Sequence, residues 1–160
     1  MSFQALNSVL WSERQLFELL LFKLEEEQLL LAAGKSRWLP HSTREVENVL
    51  EQIKDMDLAR SMESDAVAAE LGLPDNSPLS TIAETAPEPW NDLFASHRAA
   101  FVSLTAEIEA LVSTNRELLT TSQKATQETL LNLQRDDSTY NESGTTTNGE
   151  AQPRLLDQSL

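Results

Sequence analysis

From Ser2 to Ala33 the chain carries neither glycine nor proline, and Leu6, Leu10, Glu13, Phe17, Leu20, Leu24, Glu27 and Leu31 recur at alternating spacings of four and three. That period predicts one face of a long α-helix, because a strand would need its apolar residues at every second position. Ser2 is a plausible N-cap, and Gly34 can take the left-handed conformation that ends the helix. Two glutamates interrupt the stripe, while Leu16, Leu19, Leu21, Phe22, Leu29 and Leu30 widen it. More than one neighbouring surface has to cover so broad an apolar face.

The glycines and prolines fall between further periodic segments, so they mark boundaries. Ser42-Thr43-Arg44-Glu45 has the spacing of a capping box and predicts a second helix over about 43–71, with Val46, Val49, Leu50, Ile53, Met56 and Val67 inward. Gly72-Leu73-Pro74 ends it. The turn-rich stretch LPDNSPLSTIAETAPEP has room for a short helix near 78–85, pinned by Leu79 and Ile82. A third long helix over about 86–134 carries a second heptad stripe through Phe94, His97, Phe101, Leu104, Ile108, Leu111, Asn115 and Leu118. The fold class expected is all-α: an antiparallel bundle or extended hairpin of three long helices.

Their lengths do not match. Helices of about 30 residues span about 45 Å, whereas a third helix of roughly 45 residues spans about 65 to 70 Å. Some 20 Å of the C-terminal helix is therefore expected to protrude, roughly where the apolar seam thins between Leu119 and Leu130. After Arg135 the text becomes polar and rich in Gly, Ser, Thr and Asn. The expected organisation is a helical domain over 1–135 and a flexible polar tail over 136–160.

Composition excludes several functions. With 26 acidic and 12 basic residues and a formal charge of −14, the chain is unsuited to nucleic acid or anionic membrane surfaces, which require clustered cations. It has no cysteine, hence no disulfide, thiolate nucleophile or cysteine-bound metal. The most apolar run, LFELLLF, is cut by Lys23 and Glu25-Glu26-Glu27, which suits neither a signal peptide nor a membrane span. Residence in the cytoplasm is the expectation.

The residues offer no pattern for a catalytic set, a metal site or a cofactor site. His41 and His97 lie in different elements, and neither follows a glutamate by three residues as inward di-iron ligands do. Gly34-Lys35-Ser36 resembles the end of a phosphate loop, but Leu29 stands where that loop needs glycine. Asn141-Glu142-Ser143 matches a glycosylation pattern too short to carry weight. Asn115 on the seam has two readings: a polar residue that fixes register, or the point where the bundle ceases to be its own partner.

The order of parts resembles the FlgN family of flagellar export chaperones. The likeness is clearest in APEPW, in Asn115-Arg116 followed by Leu118-Leu119, in Tyr140 with Gly144, and in LLLFKLEEEQLLLAAG of the first helix. It covers roughly residues 1–145. The resemblance implies a non-enzymatic cytoplasmic protein that binds hook-associated (hook–filament junction) proteins and hands them to the flagellar type III export apparatus. It implies a substrate-binding region on the C-terminal helix, where Leu118, Leu119, Leu130, Leu131 and Leu133 offer anchors around the polar stretch TTSQKATQET. It also matches Tyr140 to the tail tyrosine that engages the export gate's cytoplasmic domain. The competing reading is a structural coiled coil whose C-terminal helix pairs with its own copy in a homodimer.

Overall fold

The computed structural model describes residues 2–142, with side chains through Asp137. In chain order there are α1 (Ser2–Ala32), a short 3-10 turn (Ser36–Trp38), α2 (Leu39–Glu70), α3 (Leu79–Thr85) and α4 (Trp90–Glu142). The all-α expectation holds, since the described residues contain no strand. The chain divides into two compact units, residues 1–122 and 123–160, so α4 contributes to both.

Within the first unit, the pairing of distant residues fixes how the helices run. Ser2 bonds to Glu70 at one end of α1, and Lys23 Nζ meets Glu45 at 3.1 Å near the other, so α1 and α2 are antiparallel. Phe3 stacks on Trp90 and Phe94, Phe17 meets Phe101 edge-on at 5.4 Å, and Asn115 reaches Leu24, so α4 runs parallel to α1. An up-down-up arrangement results. Short α3 tucks Ile82 and Ala83 into the core beside Leu6, Leu10, Val67 and Phe94.

Both long-helix ends obey the same local rule. Gly34 and Gly72 have φ of 67° and 71°, a region that costs a side chain about 1 kcal/mol or more and glycine nothing. At each, the following residue donates its N–H back across the turn, Lys35 to the Leu30 carbonyl at 2.9 Å and Leu73 to the Ala68 carbonyl at 2.8 Å. These are Schellman closures. A Cβ at either glycine would meet nothing within 4 Å, so the dihedral angle and not crowding selects the residue.

The start of α2 departs from expectation. It begins at Leu39, with Pro40 in its first turn, and Ser42 is buried inside the helix with its hydroxyl unpartnered. The capping box is unused because proline's fixed φ already opens the helix and the 3-10 turn leads straight into it. Glu45, freed from capping, pairs with Lys23 instead. At the other extreme α4 continues past Gln134 to Glu142, and the rest of the expected tail lies outside the described residues.

The core has two apolar clusters. One gathers Leu6, Leu10, Val67, Ile82, Ala83, Ala86 and Phe94, and the other Leu20, Leu24 and Val49 with Ile108, Leu111 and Val112 against them. Between them in sequence along α1 lies Glu13, buried and 3.1 Å from Arg60 Nε. Neither Glu13 Oε2 nor Arg60 Nε completes a hydrogen bond despite that distance, so the contact is electrostatic and poorly aligned. Arg60 also binds Asp57. Burial pushes the Glu13 carboxyl above its usual range, opposed by the Arg60 charge and reinforced by Asp57.

Candidate protein-binding surface

Of the residues that sequence singled out for chemistry, the buried ones turn out to be held by the bundle itself. His97 is 1% exposed; its Nε2 lies 2.9 Å from Asn7 Oδ1, and its Nδ1 lies 3.4 Å from Arg14 Nη1. Those partners select the tautomer with the proton on Nε2, which donates to Asn7 while Nδ1 accepts from arginine. Burial, with the Arg14 charge adding to it, pushes the imidazole down to about 4 from 6.5. Trp11 stands edge-on to the ring at 4.9 Å, and the Arg14 guanidinium lies over the indole at 4.4 Å. His97 is thereby fully engaged and turned away from solvent.

Asn115 is likewise a seam residue with partners. Its Nδ2 donates to the Leu24 carbonyl at 3.0 Å and to Glu27 Oε1 at 3.3 Å. The acidic interruptions at Glu13 and Glu27 thus each meet a partner on another helix. Asn115 is also the last buried residue of α4 among those with described side chains. Among the described residues no cluster of His, Asp or Glu is placed to hold a metal ion, and no helix is long and apolar enough to cross a membrane.

What remains is surface. Leu118 and Leu119 lie near the end of the first unit, the former half-buried and the latter 43% exposed. In the second unit every side chain from Gln123 to Asp137 is exposed, including Leu130, Leu131 and Leu133 at 55 to 56%. Leu10, of the same residue type, is 0% exposed in the core. Leu130 and Leu133, three residues apart, share one helix face, and Leu131 sits about 100° around from Leu130. Leu118 is the one anchor that turns partly into its own bundle.

The polar residues between these leucines look after themselves. Thr120 and Thr129 donate their hydroxyls to carbonyls one turn back, those of Arg116 and Ala125, each at 2.9 Å. Such back-bonding lets threonine stay in a helix without a partner. Tyr140 falls in the last turn of α4, and its side chain is outside those described.

Exposed apolar residues also lie outside α4: Phe22 and Leu29, which the sequence places in the broad α1 stripe, and Trp11, Leu58 and Met62, which it does not single out. The signal was present in the breadth of the α1 stripe, which two neighbouring helices do not cover.

Comparison with known proteins places the chain in a family. Residues 1–148 match the family described as FlgN protein. Neither the curated proteins nor the solved structures gave a match. With the family match spanning nearly all of the chain, it belongs to the FlgN family, the flagellar export chaperones.

Proposed function

We propose that the chain holds hook-associated (hook–filament junction) proteins in the cytoplasm by reversible binding and delivers them to the flagellar type III export apparatus. Family membership supports the general role, and flagellar hook-associated proteins are the kind of partner it implies. The observation that carries the finer reading is the set of leucines left in solvent on α4. Leu118, Leu119, Leu130, Leu131 and Leu133 anchor an amphipathic substrate helix, and the threonine- and glutamine-rich stretch between them keeps the free surface from becoming one continuous sticky patch.

Each leucine fully buried contributes about 1.5 to 3 kcal/mol before ordering costs. Three would supply roughly 5 to 9 kcal/mol gross, which after those costs suits a complex that must later be released. Residues 1–135 act as the chaperone domain, and residues 136–160 as a tail through which Tyr140 engages the export gate's cytoplasmic domain.

Light scattering behind size-exclusion chromatography tests this, with the purified chain alone and mixed with a hook–filament junction protein from the same organism. A one-to-one complex is expected, lost in a Leu130→Ala/Leu133→Ala variant. A peak at twice the monomer mass that ignores the junction protein would favour the alternative, a homodimer built on the same helix.

A further inference from the structure

The face of the α1–α2 pair away from α4 contains an open groove of about 550 Å³, lined by residues of α1 and α2 alone. Leu16 and Leu19 of α1 and Met56 and Ala59 of α2 form its apolar part; Ser12, Gln15, Gln52 and Asp55 complete it. It runs along both helices, from Ser12 to Leu19 and from Gln52 to Ala59, or about 10 Å. Two antiparallel helices with an apolar trough two turns long present to a further helix the geometry that α4 already uses on the opposite side. Leu19 is 38% exposed and Met62, one turn beyond Ala59's side of α2, is 67% exposed. Methionine suits such a wall because its unbranched side chain adapts to whatever packs on it.

Charge decides what can fill the groove. Asp55 is in it, Glu51 and Glu63 lie one turn from Asp55 and Ala59 on α2, and Glu26 lies one heptad beyond Leu19 on α1. Lys23 on this side is held by Glu45 and Glu26, at 3.1 and 3.7 Å. A second copy of the chain would bring acidic walls against acidic walls, at a formal charge of −14 each. The chain's own residues 143–160 carry Glu150 and Asp157 against Arg154, so they are not complementary either.

We infer that the outer α1–α2 groove docks one amphipathic helix of a partner protein, with apolar side chains at i, i+3 or i+4, and i+7 and with lysine or arginine on the flanks of that face. The groove is separate from the α4 leucines, so this site stands or falls independently of the hook-protein reading.

Two synthetic helices of about 18 residues, roughly 27 Å long, provide the probe: identical leucine faces, one flanked by lysine and the other by glutamate. They are titrated into the full chain by fluorescence anisotropy at physiological salt. The lysine-flanked helix is expected to bind at least tenfold tighter than its twin. Leu19→Gln or Ala59→Gln, neither of which changes charge, should weaken it at least tenfold, whereas Leu130→Ala/Leu133→Ala should leave it unchanged. Hydrogen-exchange protection should appear at Leu16–Leu19 and Gln52–Ala59. If a glutamine variant loses its helical circular dichroism, the exposed pair Gln15→Lys/Asp55→Lys serves instead and should reverse the preference toward the glutamate-flanked helix. Equal binding of the two probes, indifference to the groove substitutions, protection on α4, or a groove-dependent doubling of mass without peptide would each overturn the proposal.

Discussion

Lowering the pH should loosen this bundle through His97 in particular. In the unfolded chain a histidine binds its proton at about 6.5, but in the fold burial and Arg14 push this one down to about 4. Between those values the unfolded state holds more protons than the folded one, so stability falls as pH falls and the loss is complete below the folded value. Multiplying the 2.5-unit gap by about 1.4 kcal/mol per unit gives about 3.5 kcal/mol in full, of which about 3 kcal/mol is lost by pH 4. With a urea slope near 2 kcal/mol per molar, typical of small domains, that is a drop of about 1.5 M in midpoint. Glu13 works in the other direction: its raised carboxyl keeps a proton that the unfolded state releases, so its contribution falls as pH rises past 4.5. Comparing wild type with His97→Gln cancels Glu13 and the background of other carboxylates. Urea midpoints at pH 7, 5.5 and 4 should show the wild type losing about 3 kcal/mol more than the variant across that range. A difference between the two proteins that stays constant with pH would refute the reasoning, and would mean that the ring is solvated in the folded state.

Phe94→Ala, at a fully buried site, should cost about 3 to 5 kcal/mol by chemical denaturation. Leu130→Ala with Leu133→Ala should change stability by less than about 0.5 kcal/mol each while weakening the hook-protein complex measured by calorimetry. A large fall in thermal midpoint there would make these leucines ordinary core. Glu13→Ala should cost about 1 to 2 kcal/mol, less than orphaning a fully buried charge because Arg60 keeps Asp57 and is 37% exposed, whereas the double change Glu13→Met/Arg60→Met should be near neutral or stabilising in the same denaturation assay.

Much of the architecture could be read from spacing. Leu6, Leu10, Leu20 and Leu24 of one stripe, and Phe94, His97 and Asn115 of the other, are the residues that become buried, because a period of three and four places them on one helix face. The two glycines also end their helices as local chemistry requires. What could not be read depends on partners distant in the chain. Nothing near Glu13 announces Arg60, and Ser42 with Glu45 carries a valid cap pattern that a proline two residues earlier and a lysine on α1 together displace. The exposed leucines of α4 were legible as a thinning seam. The α1–α2 groove was not, because it depends on which side of that pair α4 occupies, a choice made by the bundle and not by either helix alone.

The buried polar contacts have a consequence for alignment. Leucine-rich seams tolerate sliding, since one heptad of leucines packs about as well as the next. Glu13 does not: one heptad either way would carry it from Arg60 toward Val67 or Ile53, leaving a buried carboxylate without an opposite charge while Arg60 kept only Asp57. Asn115 and Glu27 add the same discrimination between α1 and α4. The helices can therefore mesh at one setting only, like a vernier with a single coincident mark. That setting fixes which residue of α4 is the last to be covered by α1, and so gauges how much of that helix is left uncovered.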